Sequence, residues 1–248
     1  MSALVVPPGP NPRRGIGVVA PYDFALDHEL WRWVPDGVTL HTTRTPYFAL
    51  PVGIEMAETV SDAAAVIEGV HSLVTVRPEA VAYACTSGSF VHGRLGERYL
   101  STTMRETGAP VAVTTSGALL EALSTLEITR LAVATPYVPE VTDRLCAFLA
   151  EAAVDVVKSH DLCLTHDIWT VDYARVADMI LACDDPGAEA VFVSCTNVPT
   201  YDVIAPLEAA LAKPILTANQ VTMWAVLRAL SLQARGPGQS LLMVGGSN

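Results

Sequence analysis

The chain has 248 residues and a formal net charge of −11, with 51% hydrophobic and 17% charged residues. That composition buries a full core and excludes a disordered chain; the acidic balance, with no Lys/Arg cluster, excludes nucleic acid and anionic membrane as partners. No apolar run is long enough to span a bilayer, and the prolines in "MSALVVPPGPNPRRG" interrupt any signal-peptide helix, so residues 1–14 read as a flexible tail on a cytoplasmic protein.

In chain order, β-rich runs are expected at 15–20, 38–43, 80–85 and 110–115, then at 130–135, 154–159, 190–195 and 214–219. Helical patterns separate them at 56–70, 140–153 and 172–183. Strands alternating with helices predict α/β architecture with mostly parallel sheets, and the ligand edge of such sheets lies at the strand C-terminal ends.

The order of these runs repeats. "IGVVAPY" (16–22) is echoed by "LAVATPY" (131–137), "YACTSGSF" (83–90) by "FVSCTNVP" (192–199), and "PVAVTTSGALLEAL" (110–123) by "PILTANQVTMWAVL" (214–227). The echoes predict two similar lobes, 15–120 and 121–215, with 216–248 forming a C-terminal helix and tail that packs back on the first lobe. Each lobe is expected to hold a four-stranded sheet, and a pseudo-twofold relation puts Cys85 and Cys195 on opposite sides of one cleft.

Cys85 and Cys195 end matched strands, and Thr86, Ser87, Thr196 and Asn197 add short polar side chains beside them. If each turn leads from a strand directly into a helix N-terminus, outward N–H groups lower the thiol pKa and hold a substrate carboxylate. The other cysteines have plainer readings. Cys146 and Cys183 sit at helical spacing as small buried hydrophobes, and Cys163 lies near a loop. Five cysteines without CxxC or Cys/His spacing indicate neither a disulfide framework nor a metal site, and no glycine-rich phosphate motif is present, so no cofactor is expected.

Taken together, the paired cysteine turns, "ATPYVPEVTDRLCAFLAE" and "SCTN…LTANQVTMWAVLRAL" resemble the aspartate/glutamate racemase superfamily, in its branch of maleate cis-trans isomerases and arylmalonate decarboxylases. The resemblance covers roughly residues 15–235. It implies two Rossmann-like lobes with the active site between them, Cys85 and Cys195 as the catalytic pair, Tyr137 as a carboxylate-binding tyrosine, and Thr86 and Ser87 in a carboxylate pocket. The decarboxylase branch carries glycine at the first cysteine position, so the resemblance favours isomerase or racemase chemistry on a small carboxylic acid. Decarboxylation with Cys195 as proton donor, or ligand binding without chemistry, stands as the alternative.

One segment departs from that pattern. Where maleate isomerases resemble "PSSNTT", this chain reads "APYDFALDHELWRWVP", which places Tyr22 or Asp23 near a substrate-touching asparagine that is missing. Arg44 ends the second strand, where it grips a carboxylate or forms a surface ion pair. His166 and Asp167 fall on the ligand edge of the second lobe, whereas His92 is carried away from the site by seven residues. Phe24, Trp31 and Trp33 read as a helix packed on the core or as a pocket wall. The expected partner is a small-molecule carboxylate, and the sequence leaves homo-oligomer or monomer open.

Overall fold

The computed structural model describes residues 13–244, so the first twelve residues of the expected tail lie outside it. The first half of the chain runs β1 (Arg14–Ala20), α1 (Asp27–Leu30), a 3₁₀ turn (Trp31–Trp33), β2 (Val38–Arg44), α2 (Ile54–Val60), α3 (Ala63–Val74), β3 (Ala80–Tyr83), α4 (Thr86–Phe90), α5 (Gly93–Glu106), β4 (Ala112–Thr114) and α6 (Thr115–Thr125). The second half repeats the order with β5 (Arg130–Thr135), α7 (Pro139–Ala150), β6 (Asp155–Asp161), a 3₁₀ turn (Ile168–Thr170), α8 (Tyr173–Cys183), β7 (Ala190–Val193), α9 (Tyr201–Leu211), β8 (Ile215–Thr217), α10 (Ala218–Ala229) and α11 (Ser240–Met243).

Two parallel four-stranded sheets result, ordered β2-β1-β3-β4 and β6-β5-β7-β8. The central strands are buried on both faces, as the uninterrupted apolar runs require. Ile16, Val18, Ala80 and Ala82 face a core shared with Leu131, Val133 and Phe192 of the second sheet. Val19, Val81 and Tyr83, at the alternate positions, face a smaller cluster with Val66, Val70 and Met104 of α3 and α5.

Local chemistry sets the element ends. The helical pattern expected over 56–70 is broken at Ser61 and Asp62, and the Asp62 carboxylate accepts from Ala64 N–H at 2.7 Å to start α3. Thr114 and Thr217 are equivalent caps in the two repeats, accepting from Gly117 N–H at 3.0 Å and Gln220 N–H at 3.4 Å. The helices they start, α6 and α10, pack against each other, with the Thr115 and Thr222 hydroxyls 2.8 Å apart at the contact. No helix among the described residues is long and apolar enough to cross a membrane.

Candidate active site

β3 and β7 sit beside the first strand of their own sheets and carry Cys85 and Cys195 just past their C-terminal ends. Both cysteines line one small chamber, together with Pro21, Asp23, Val52, Met56, Thr86, Ser87, Tyr137, Ile168, Thr196 and Asn197. Its volume of about 20 Å³ is roughly that of one water. The walls come from both lobes, and the loop after β2 is tied to the loop after β6 by Val52 N–H donating to the Thr165 carbonyl at 2.8 Å.

The two turns are not copies. Cys85 is extended (φ −141°) and directly precedes α4. Cys195 sits in the left-handed region at φ +84°, an uncommon conformation for a side-chain-bearing residue, and its turn does not enter a helix, because α9 begins only at Tyr201. The left-handed kink folds the chain so that Asn197 N–H approaches the Cys195 sulfur at 3.4 Å.

The expected lowering of thiol pKa is therefore corrected. Burial pushes Cys85 up to about 11, outweighing the Gly88 N–H and the Tyr83 and Ser87 hydroxyls that favour a thiolate. Cys195 is pushed up to about 12, again by burial first, with Asn197 N–H and the Tyr137 hydroxyl acting in the other direction. The Asp23 carboxyl raises both. Both cysteines are thiols at neutral pH, a suitable store of protons.

Close packing supports the first thiol. Tyr83 donates its hydroxyl to the Val60 carbonyl at 2.7 Å. A Cβ added at Gly88 would stand 2.4 Å from that hydroxyl and 3.0 Å from the Cys85 sulfur, so a larger residue there forces its neighbours to shift. On the other side, Tyr137 is buried, lines the chamber with both cysteines, and accepts from the Ser194 hydroxyl at 3.5 Å. Burial holds its pKa well above the ordinary tyrosine value.

A second layer, which the sequence reading missed, holds the Cys195 turn. Asn219 Nδ2 donates to the Thr196 carbonyl at 2.9 Å and to Glu29 Oε1 at 3.3 Å. The buried Glu29 carboxylate also accepts from Thr200 N–H at 2.9 Å and from the Thr200 hydroxyl at 3.0 Å. Glu29 belongs to no motif, and nothing in the sequence marks its partner Thr200, 171 residues away.

Among the residues singled out beforehand, Asp23, Thr86, Ser87, Tyr137, Thr196 and Asn197 meet around the two thiols. Arg44 does not: its guanidinium donates to the Phe24 carbonyl at 2.8 Å and pairs with Asp27 at 2.7 Å, so the ion-pair reading stands over the substrate grip. Tyr22 lies one step outside, donating to the Leu50 carbonyl at 3.1 Å and lining an outer cavity of about 370 Å³ with Tyr47, Phe48, His166, Asp167 and Trp169. Asp23, Val52 and Ile168 border both spaces. Phe24 and Trp33 are core residues, whereas Trp31 is exposed. His92 is an exposed residue at the start of α5. Cys183 is buried and Cys163 exposed, but Cys146, expected to be buried, is only partly so because its helix face meets solvent.

Paired thiols at matched strand ends, in one chamber beside two parallel sheets of the same strand order, define a class of α/β proteins with a two-cysteine site. The sequence model described as arylmalonate decarboxylase matches residues 35–243, and the chain belongs to that family. It is 25% identical to a maleate isomerase of Geobacillus stearothermophilus over 181 residues, 70% of this chain and 72% of the relative. It is 32% identical to the arylmalonate decarboxylase of Bordetella bronchiseptica over 148 residues, 58% of this chain and 61% of the relative. A double mutant of arylmalonate decarboxylase in the liganded form superposes with a TM-score of 0.85 at 25% identity, covering 92% of this chain and 98% of that one. A mutant maleate cis-trans isomerase of Nocardia farcinica with a covalently bound succinylcysteine intermediate has the same fold, with a TM-score of 0.85 at 21% identity over 94% of this chain and 99% of that one. These relatives are enzymes, of two different reactions.

Proposed function

We propose that the chain is a cofactor-independent isomerase or racemase in which Cys85 and Cys195 act on a small carboxylic acid held between them. The observation that carries this reading is the convergence of both thiols, one from each lobe, on a single chamber. Two proton carriers on opposite sides of a carbon suit inversion, whereas a decarboxylase needs only one. Cys85 occupies the position at which the decarboxylase branch, by the resemblance drawn above, carries glycine.

For racemisation, one sulfur as thiolate removes the proton beside the carboxylate, and the electron pair passes into the carboxylate as an enediolate. The opposite thiol then returns a proton to the other face, and the two sulfurs exchange roles. For an unsaturated acid, the Cys85 thiolate adds to one alkene carbon and the pair moves towards the carboxylate. Rotation about the new single bond and cleavage of the carbon–sulfur bond give the trans isomer and the free thiolate. The Thr86, Ser87 and Tyr137 hydroxyls supply donors for the developing charge.

The test is incubation with a panel of unsaturated and α-substituted carboxylic acids in heavy water. Chiral analysis and mass spectrometry of the intact protein follow. Exchange at the carbon beside the carboxylate with loss of chirality, or an adduct on Cys85, is expected. Loss of CO₂ with one-sided protonation would replace this reading by decarboxylation.

A further inference from the structure

We propose that Asp23 makes the chamber select against a second carboxylate and for a monocarboxylic acid that carries a hydrogen-bond donor, a hydroxyl or an ammonium group, beside the reacting carbon. The proposal rests on the two-thiol reading above and names the substrate class of that site.

Two buried polar atoms of the chamber residues lack a partner among the described residues, Thr86 Oγ1 and Asp23 Oδ1. They are complementary. A hydroxyl donates to an anionic oxygen, and a carboxylate oxygen accepts from N–H or O–H. A ligand that satisfies both therefore brings one acceptor and one donor, which a fully ionised diacid does not. A ligand that fills the chamber and brings both groups pairs both atoms, whereas one that fills it without the donor leaves Asp23 Oδ1 buried and unpaired, which is costly.

The charges point the same way. Asn197 Nδ2 holds Asp23 Oδ2 at 3.3 Å, which fixes the carboxyl at the chamber wall. Burial raises its pKa against its own backbone N–H and the Asn197 amide, and a donor brought by a ligand adds to the groups that favour the ionised form. Among the described residues no Arg, Lys or His lines the chamber, and Arg44 is engaged by Asp27. A diacid would add two negative charges to Asp23 and a working thiolate with no cation to offset them. A monoacid with an ammonium or hydroxyl group adds one and gives Asp23 a donor.

The probes are four acids on one skeleton: phenylacetate, mandelate, phenylglycine and phenylmalonate. They differ only in carrying hydrogen, hydroxyl, ammonium or carboxylate on the carbon beside the carboxylate. The chamber has room for about one water, so the ring of each probe lies outside it, in the adjoining outer cavity walled by Tyr22 and Tyr47, edge to face at 5.4 Å. Calorimetric titration of the wild type should rank mandelate or phenylglycine at least tenfold tighter than phenylacetate, with phenylmalonate weakest. In Asp23→Asn, phenylmalonate should tighten and the donor preference shrink, each by tenfold or more, and Asp23→Ser should do the same. Phenylmalonate binding as tightly as the donor-bearing acids would overturn the proposal, as would no binding of any probe or an order unchanged in both variants. Should neither variant fold, by thermal melting, the wild-type ranking decides alone. Exchange of the probes' α-proton, read in the same samples, separates the two claims. The ranking without thiol-dependent exchange keeps Asp23 and removes the two-thiol reading; thiol-dependent exchange without the ranking does the reverse.

Discussion

Asn197, in the second repeat, holds Asp23, in the first: its Nδ2 donates to the Asp23 carbonyl at 3.1 Å and its Oδ1 accepts from Ala25 N–H at 2.9 Å. The loop after β1 and the turn carrying Cys195 are thus one hydrogen-bonded unit. Three groups, the Asp23 carbonyl, the Asp23 carboxylate and Ala25 N–H, share one amide side chain, so removing it frees both sides of the chamber at once.

Asn197→Ala should lower turnover by at least tenfold and stability by about 1–3 kcal/mol, since buried partners are left unpaired. Urea unfolding alongside steady-state kinetics checks this. A variant with wild-type kinetics would show that the lobes need no such tie.

Replacing either working thiol should be far more damaging to rate than to fold. Cys85→Ala and Cys195→Ala should each reduce turnover by about a thousandfold or more with the melting profile retained, because each sulfur carries its own proton transfer. Cys183→Ala, in the core under β5 and β6, should instead cost about 1–2 kcal/mol and leave the rate unchanged.

The raised thiol pKa values set a pH dependence. With burial pushing Cys85 up to about 11, the thiolate at pH 7 is about one part in ten thousand, so kcat/KM should climb roughly tenfold per pH unit from 7 towards 10. A profile already flat below pH 8 would contradict a free-enzyme thiol base. Stability should move the other way. The folded state holds these protons more tightly than the unfolded chain, whose thiols ionise near 9, so stability is complete below about pH 9 and falls as pH rises through about 11 to 12.

Gly88→Ala places a methyl against the Tyr83 hydroxyl and the Cys85 sulfur, so Tyr83 or the first turn of α4 must shift. A stability loss of about 1–3 kcal/mol and a drop in turnover are expected. Pairing it with Tyr83→Phe, which removes the nearest oxygen, should restore part of both.

Glu29→Gln keeps the shape but exchanges two acceptor oxygens for one, leaving Thr200 N–H, its hydroxyl or Asn219 short of a partner. A cost of about 1.5–3 kcal/mol is expected in unfolding experiments, with turnover falling as the Cys195 turn loosens. Equal stability of the two forms would show that the second acceptor oxygen of Glu29 is not needed to hold the Cys195 turn.

Local pattern alone carried much of this molecule. Eight apolar runs bounded by turns and helices fixed eight strands to within a few residues, because buried parallel strands leave an unbroken hydrophobic signature. The internal echo of "YACTSGSF" in "FVSCTNVP" set both cysteines at matched strand ends, since equivalent sequence makes equivalent βαβ units.

What depended on assembly was everything set by neighbours distant in the chain. The left-handed backbone at Cys195 cannot be read from Ser-Cys-Thr-Asn, which looks like a helix entry and instead is turned by contacts with Asp23, Ala25 and Asn219. Thiol ionisation followed the same rule, because local donors predict a low pKa while burial between lobes, a long-range property, raises it. Arg44 lay on the right strand edge, but the choice between substrate and ion pair was made by Asp27, a turn of helix whose approach only packing determines. Sequence fixes which groups a segment offers; the fold decides which of them water can still reach and which must find partners in each other.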